Sequence, residues 1–200
     1  MIPFEAASVA VAVLGTLAVI AVFVVRGHEI GWELSAGAMF TLYVRAAGLA
    51  ATLVFAAGLA EILRAFLVTE LLPPGYAPMR PSPPAEQIVR GATLAAAGAA
   101  FWGVHYLLPR PSVRGGALLY TAFVTVGAAA FGAATVATLP AAIAHEAQRL
   151  VGMQPPPRLE GALGGGIAAF LLWLGHLWQL RAQLGGGPGG RLEHTLAVEP

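Results

Sequence analysis

Apolar residues run along this chain in blocks too long for one face of a soluble helix, separated by short stretches rich in proline, glycine and arginine. Five blocks approach or exceed the roughly 20 apolar residues that a helix needs to cross a bilayer core. They are 6–25, 41–68, 91–109, 117–142 and 161–180. Arg26 closes the first, Arg90 and Arg110 bracket the third, and Glu160 and Arg181 bracket the fifth. In hydrocarbon every backbone N–H and C=O must find a partner within its own segment, so each block is predicted to be a helix. The shorter alternating segments of a membrane barrel are absent.

The connections fit this reading. LLPPGYAPMRPSPP over 71–84 and QPPP over 154–157 cannot continue a helix. Residues 110–116 form a short turn with Pro111 and two glycines. Trp32, in GHEIGWELS, is expected to anchor at the membrane surface. The first block has no basic segment before it and exceeds the roughly 7–15 residues of a secretory core, so it is expected to be a retained span. The predicted organisation is one bundle over 1–184 and a flexible tail over 185–200, opened by GGGPGG.

Composition sets the class. The chain is 58% hydrophobic and 10% charged, against about 25% charged in an average soluble domain. A surface so poor in charge suits lipid, and the bilayer is the first expected partner. The absence of cysteine excludes disulfides and thiolate metal sites. A formal net charge of +1 gives no case for a nucleic-acid partner. HExxH, GxSxG and P-loop patterns are missing. The chain is therefore read as non-enzymatic, with no catalytic residues and no metal site. All basic residues are arginine, and their distribution suggests an orientation. One side of the five spans holds Arg80, Arg90, Arg149 and Arg158, the other Arg26, Arg45, Arg110, Arg114, Arg181 and Arg191. The positive-inside rule makes the second side cytoplasmic. This predicts a multi-pass protein of the inner membrane, N-terminus outside and C-terminus in the cytoplasm.

The blocks are not independent. FWGVHYLLPR (101–110) and LWLGHLWQLR (172–181) carry Trp, His and Arg at the same relative places. The blocks before them align as well, with Leu42-Tyr43 falling on Leu119-Tyr120. The chain reads as one leading helix plus two copies of a two-helix unit running in the same sense, an all-α membrane protein with a parallel tandem repeat. This pattern resembles a bacterial, Chloroflexota-type four-helix membrane domain family of unknown function. In that family an aromatic Leu-Tyr helix start precedes a helix ending in a Trp-x-x-His motif. The matching positions here are Leu42, Tyr43, Trp102, His105, Leu119, Tyr120, Trp173 and His176. The resemblance implies the tandem helical fold and brings no activity with it.

Candidate chemistry is sparse. His105 and His176 each lie five residues before an arginine, which predicts similar depths just inside one interface. Two imidazoles at one depth could ligate a b-type haem, and one could ligate a (bacterio)chlorophyll. The plainer expectation is that both belong to an interfacial aromatic belt or to helix packing. His28, His145 and His194 are expected in loops or the tail. Glu61 and Arg64, three apart near the end of the second block, are expected to pair on one helix face. A coupling role for Glu61 in a small transporter is a weaker alternative. Small residues every four positions predict close helix approach: Gly91, Ala95, Ala99 and Gly103; Gly48, Thr52, Ala56 and Ala60; Gly161, Gly165 and Ala169. The favoured function is a non-catalytic accessory or scaffold subunit packed against other membrane proteins of a bacterial respiratory or photosynthetic complex. The alternative of a different class is a redox or pigment carrier.

Overall fold

The computed structural model describes residues 4–26, 35–71, 84–108, 116–153 and 162–185. They form five α-helices: α1 (Phe4–Arg26), α2 (Ala36–Leu71), α3 (Pro84–Leu107), α4 (Gly116–Leu150) and α5 (Ala162–Gly185). No strand occurs among the described residues. Trp32, His28, His194, Gly161 and the tail beyond Gly185 lie outside them.

Local chemistry explains several boundaries. The Ser35 hydroxyl accepts from the Ala38 amide at 3.2 Å and caps the start of α2. Pro84 opens α3, where its missing N–H costs nothing, and Glu86 in that turn favours the positive helix end. α4 stops at a reversal in which Gly152 takes a φ of 79° and the Met153 amide reaches back to the Gln148 carbonyl at 3.0 Å. α4 also runs through Pro140, so it continues eight residues past the predicted end at 142. α2, with 36 residues, is about 54 Å long and exceeds a roughly 30 Å hydrocarbon core. Three stretches are long and apolar enough to cross a membrane: Ala36–Leu67, Leu118–Gln148 and Ala162–Ala182. In α1 the shorter apolar stretch is Ala12–Val22.

Packing follows the two predicted pairs. α2 packs chiefly on α3, and α4 on α5; α5 also lies along α2, and α1 along α4. Glycine contacts give the directions. A Cβ on Gly98 would come within 2.6 Å of the Phe55 nitrogen, and one on Gly91 within 2.8 Å of the Gly58 carbonyl oxygen. Residues late in α3 therefore meet residues early in α2, and the pair is antiparallel. Gly164 of α5 meets Ala60 and Arg64 of α2, while Gly166 meets Leu139 of α4. Gly175 lies further along the same helix, on a cavity wall with Gly48 of α2. Thus α3 and α5 both oppose α2, and the two pairs run in the same sense. One core cluster joins Ala12 of α1 to Leu42 and Leu49 of α2 and to Leu119 and Phe123 of α4. A second joins Ala60, Ala134, Ala168 and Ala169 where α2, α4 and α5 meet.

The small-residue stripes are only partly those expected. Gly91 and Ala95 meet α2 as predicted, and Ala56 is buried. The α3 contact then continues at Gly98 rather than Ala99, and nothing lies within 4 Å of a Cβ built on Gly103 or Gly48. The reason is the helical repeat. Steps of four drift by about 40° each at 3.6 residues per turn, so Ala99 and Gly103 rotate off the face that Gly91 starts. In α5, Gly165 is buried, but its neighbours Gly164 and Gly166 touch α2 and α4.

Gly58→Ala should destabilise the bundle by about 1–3 kcal/mol, because its Cβ must displace the α3 backbone. Gly48→Ala should cost nothing, and its helix propensity favours the fold by up to about 1 kcal/mol. Thermal unfolding in detergent, followed by circular dichroism, separates the two. Equal melting of Gly58→Ala and the native chain would contradict the close approach.

Candidate functional site

The α3 and α5 helices flank α2 without packing extensively on each other. Between them the bundle encloses a half-open cavity of about 720 Å³. Arg45, Gly48, Thr52 and Phe55 of α2 form its floor, and Tyr120, Phe123 and Val124 of α4 the adjoining wall. α3 contributes Ala99, Trp102, His105 and Tyr106, and α5 contributes Leu172, Gly175, His176 and Gln179. Open space above Gly48 and Gly175 is part of what leaves this volume unfilled. Both repeat histidines therefore reach one cavity.

They reach it differently. His105 is 5% exposed. Its Nδ1 lies 2.8 Å from the Phe101 carbonyl oxygen one turn back, and its Nε2 lies 3.1 Å from the Tyr43 hydroxyl on α2. A carbonyl can only accept, so the Nδ1 N–H donates to Phe101 and Nε2 accepts from Tyr43. The ring also packs on Phe101 at a centroid distance of 4.3 Å. His176 repeats the first bond, with Nδ1 at 2.8 Å from the Leu172 carbonyl oxygen. Its other edge lies on α4 at Gly127, where a Cβ would overlap Nε2. Trp173 sits in the same way on Gly132, its indole nitrogen 3.0 Å from where a Cβ would be.

By the repeat, the counterpart of Tyr43 is Tyr120, yet His176 meets Gly127, seven residues further along α4. Tyr120 instead lies under the Arg45 guanidinium, 4.2 Å from its ring centroid, a cation–π contact that ties one unit to the other. That contact also puts the Tyr43 end of α2 level with Tyr120. The two histidines therefore meet positions that the repeat does not align. The cause is local: α4 offers glycine at 127 and 132 for the α5 rings, whereas the aligned α2 positions are Ala50 and Phe55.

For a tetrapyrrole, the Nδ1 bonds leave Nε2 as the ligating atom on each ring, the usual arrangement in metal-binding histidines. In this structure those two atoms face Tyr43 and Gly127. Axial ligation would require both rings to leave these contacts. As they stand, the histidines join helices.

At the opposite end of the bundle, Glu61 and Arg64 pair as expected, at 3.3 Å. A shorter bond joins Glu61 to Arg90 of α3, at 2.9 Å. The Glu61 side chain is only 14% exposed, so two guanidiniums from two helices compensate one largely buried carboxylate. Sequence spacing reveals partners on one helix, and Arg90 was missed because it comes from another. His145, expected in a loop, lies in the extended α4, is 2% exposed and stands 3.4 Å from the Glu146 carboxylate. Also unforeseen were the Tyr43–His105 and Arg45–Tyr120 contacts, although the aligned Leu-Tyr pairs had marked both tyrosines. Among the described residues no cluster of three or more acidic or histidine side chains could hold a metal ion.

The chain matches no protein family, no curated protein and no solved structure.

Tyr43→Phe should remove the cross-helix bond to His105. Bonds of this kind within bilayers average about 0.6 kcal/mol, so a small but measurable drop in melting temperature is expected. His105→Phe in the Tyr43→Phe background should add less than it does alone. Strict additivity in this double-mutant cycle would mean that the two side chains are uncoupled.

Proposed function

We propose that this is a five-span protein of the inner membrane, N-terminus outside and C-terminus in the cytoplasm, acting as a non-catalytic accessory subunit that packs against other membrane proteins. A respiratory or photosynthetic complex is the kind of assembly it suits. The paired plan of α2–α3 and α4–α5 supports kinship with the tandem membrane family it resembles.

One observation carries the reading. α3 bears two stripes of small residues. The first, Gly91, Ala95 and Gly98, is used on α2. The second, Ala92, Ala96, Ala100 and Gly103, is left uncovered, with Ala92, Ala96 and Ala100 exposed and open space at Gly103. Small residues let a second helix backbone come close enough for van der Waals contact, the main attraction between helices in lipid. Polar groups elsewhere turn inward: Thr41, Thr52, Thr135 and Thr138 donate to carbonyls one turn back, and Glu61 holds two arginines.

Extracted gently from its native membrane, the protein should migrate as a complex larger than its own 20.5 kDa. Gly103→Leu, whose Cβ meets no described atom within 4 Å, should release it without lowering its melting temperature. Migration of the native protein as a lone monomer would remove the basis of the proposal.

A second reading, a haem b or chlorophyll carrier, is favoured by the meeting of His105 and His176 at one cavity. It requires a visible absorption band in protein purified from its source, lost in His105→Ala or His176→Ala. A spectrum with aromatic absorption alone would sink it.

A further inference from the structure

We infer that the cavity between α3 and α5 is a binding site for a phospholipid with an anionic headgroup, held at its phosphate by Arg45 with one acyl chain in the trough past Gly48 and Gly175. Arg45 is the only side chain of fixed charge among the described residues that line the cavity. It stands nine residues into α2, a depth at which an arginine reaches the headgroup region from below. Its guanidinium plane lies over Tyr120, which orients it. The rest of the wall mixes apolar and aromatic side chains, with Phe55, Phe123 and Leu172 among them, and two uncharged polar ones, Thr52 and Gln179. A cation at interfacial depth above a largely apolar trough matches an amphiphile with a negative head.

Position agrees with charge. The cavity lies at the end of the bundle where α2 and α4 begin and α3 and α5 finish, the end to which the sequence assigns Arg26, Arg110, Arg114 and Arg181. Anionic lipids concentrate in the cytoplasmic leaflet and attract basic residues near its surface. The glycines add a separate argument. Gly58, Gly91 and Gly98 are needed for helix contact, whereas a Cβ added at Gly48 or Gly175 would meet nothing within 4 Å, and that open space is where a chain would lie. The inference rests on the proposed orientation, which puts this end at the cytoplasmic leaflet, but not on the accessory-subunit role, because the lining residues all come from one chain.

Trp102 on the cavity wall supplies the probe. With Trp32, Trp173 and Trp178 replaced by Phe, the full chain is reconstituted into vesicles containing phosphatidylglycerol or phosphatidylcholine with brominated acyl chains, at equal bromine content. Phosphatidylglycerol should quench Trp102 with an about fivefold preference, the scale of one arginine at an anionic surface. Arg45→Lys should keep the preference and Arg45→Gln should lose it. Gly48→Leu, which fills the trough and leaves Arg45 in place, should also lose it without lowering the circular dichroism melt. Equal quenching by both lipids in the native cavity overturns the inference. So does a preference that survives Gly48→Leu, since it would then arise from lipid around the bundle. Abolition by inorganic phosphate would assign the site to a free anion, and a co-purifying visible chromophore would assign the cavity to a pigment; either result overturns the lipid.

Discussion

Leucine against leucine inside a bilayer gains little over leucine against a lipid tail, so helices hold together there only where their backbones come close. In this bundle that condition is met at a few glycines. Gly58, Gly91 and Gly98 set the distance between α2 and α3, and Gly164 and Gly166 let α5 lie against both α2 and α4. The remaining interactions depend on those approaches. Tyr43 reaches His105, and Glu61 reaches Arg90, on either side of that close approach between α2 and α3.

The cavity is the other face of the same constraint. α3 and α5 each approach α2 closely near its middle or far end, and neither fills the space over Arg45 and Gly48. Rings take up much of this region: Trp102 and Tyr106 stack at 5.0 Å on α3, and His105, Tyr120, Phe123 and His176 also line it. Aromatic side chains keep the helices apart where glycine contacts end. A bundle packed tightly at one end and propped open at the other results from the order in which small and large residues occur along α3 and α5.

Much of the architecture was legible in sequence because it rests on run length. The five apolar blocks fall on the five helices, and Leu42 and Leu119, aligned by the repeat, are both buried. Boundaries were less legible. α3 begins seven residues before its apolar block and α4 ends eight after its own, since a helix continues through polar residues once it leaves the hydrocarbon. The candidate site was legible only as residue types. Duplication announced His105 and His176 as equivalents, but their partners depend on relative slide, and that is decided by Gly127 and Gly132 on α4, which were invisible to a pattern of period four. Glu61 was read with Arg64 alone for a similar reason: spacing sees one helix at a time.

The choice of packing partners also bears on how the chain assembles as it is made. Synthesis delivers helices in order, N-terminal first. α3 finds α2 at once, and α4 finds α1, both through contacts that need nothing later. α5 is the helix that lies along both α2 and α4, and its seat on α4 uses glycines that α2 lacks at the aligned positions. Until it arrives, the space over Arg45 has three walls and lies open sideways to the membrane. α5 therefore adds the fourth wall of a space that stays half open in the finished bundle.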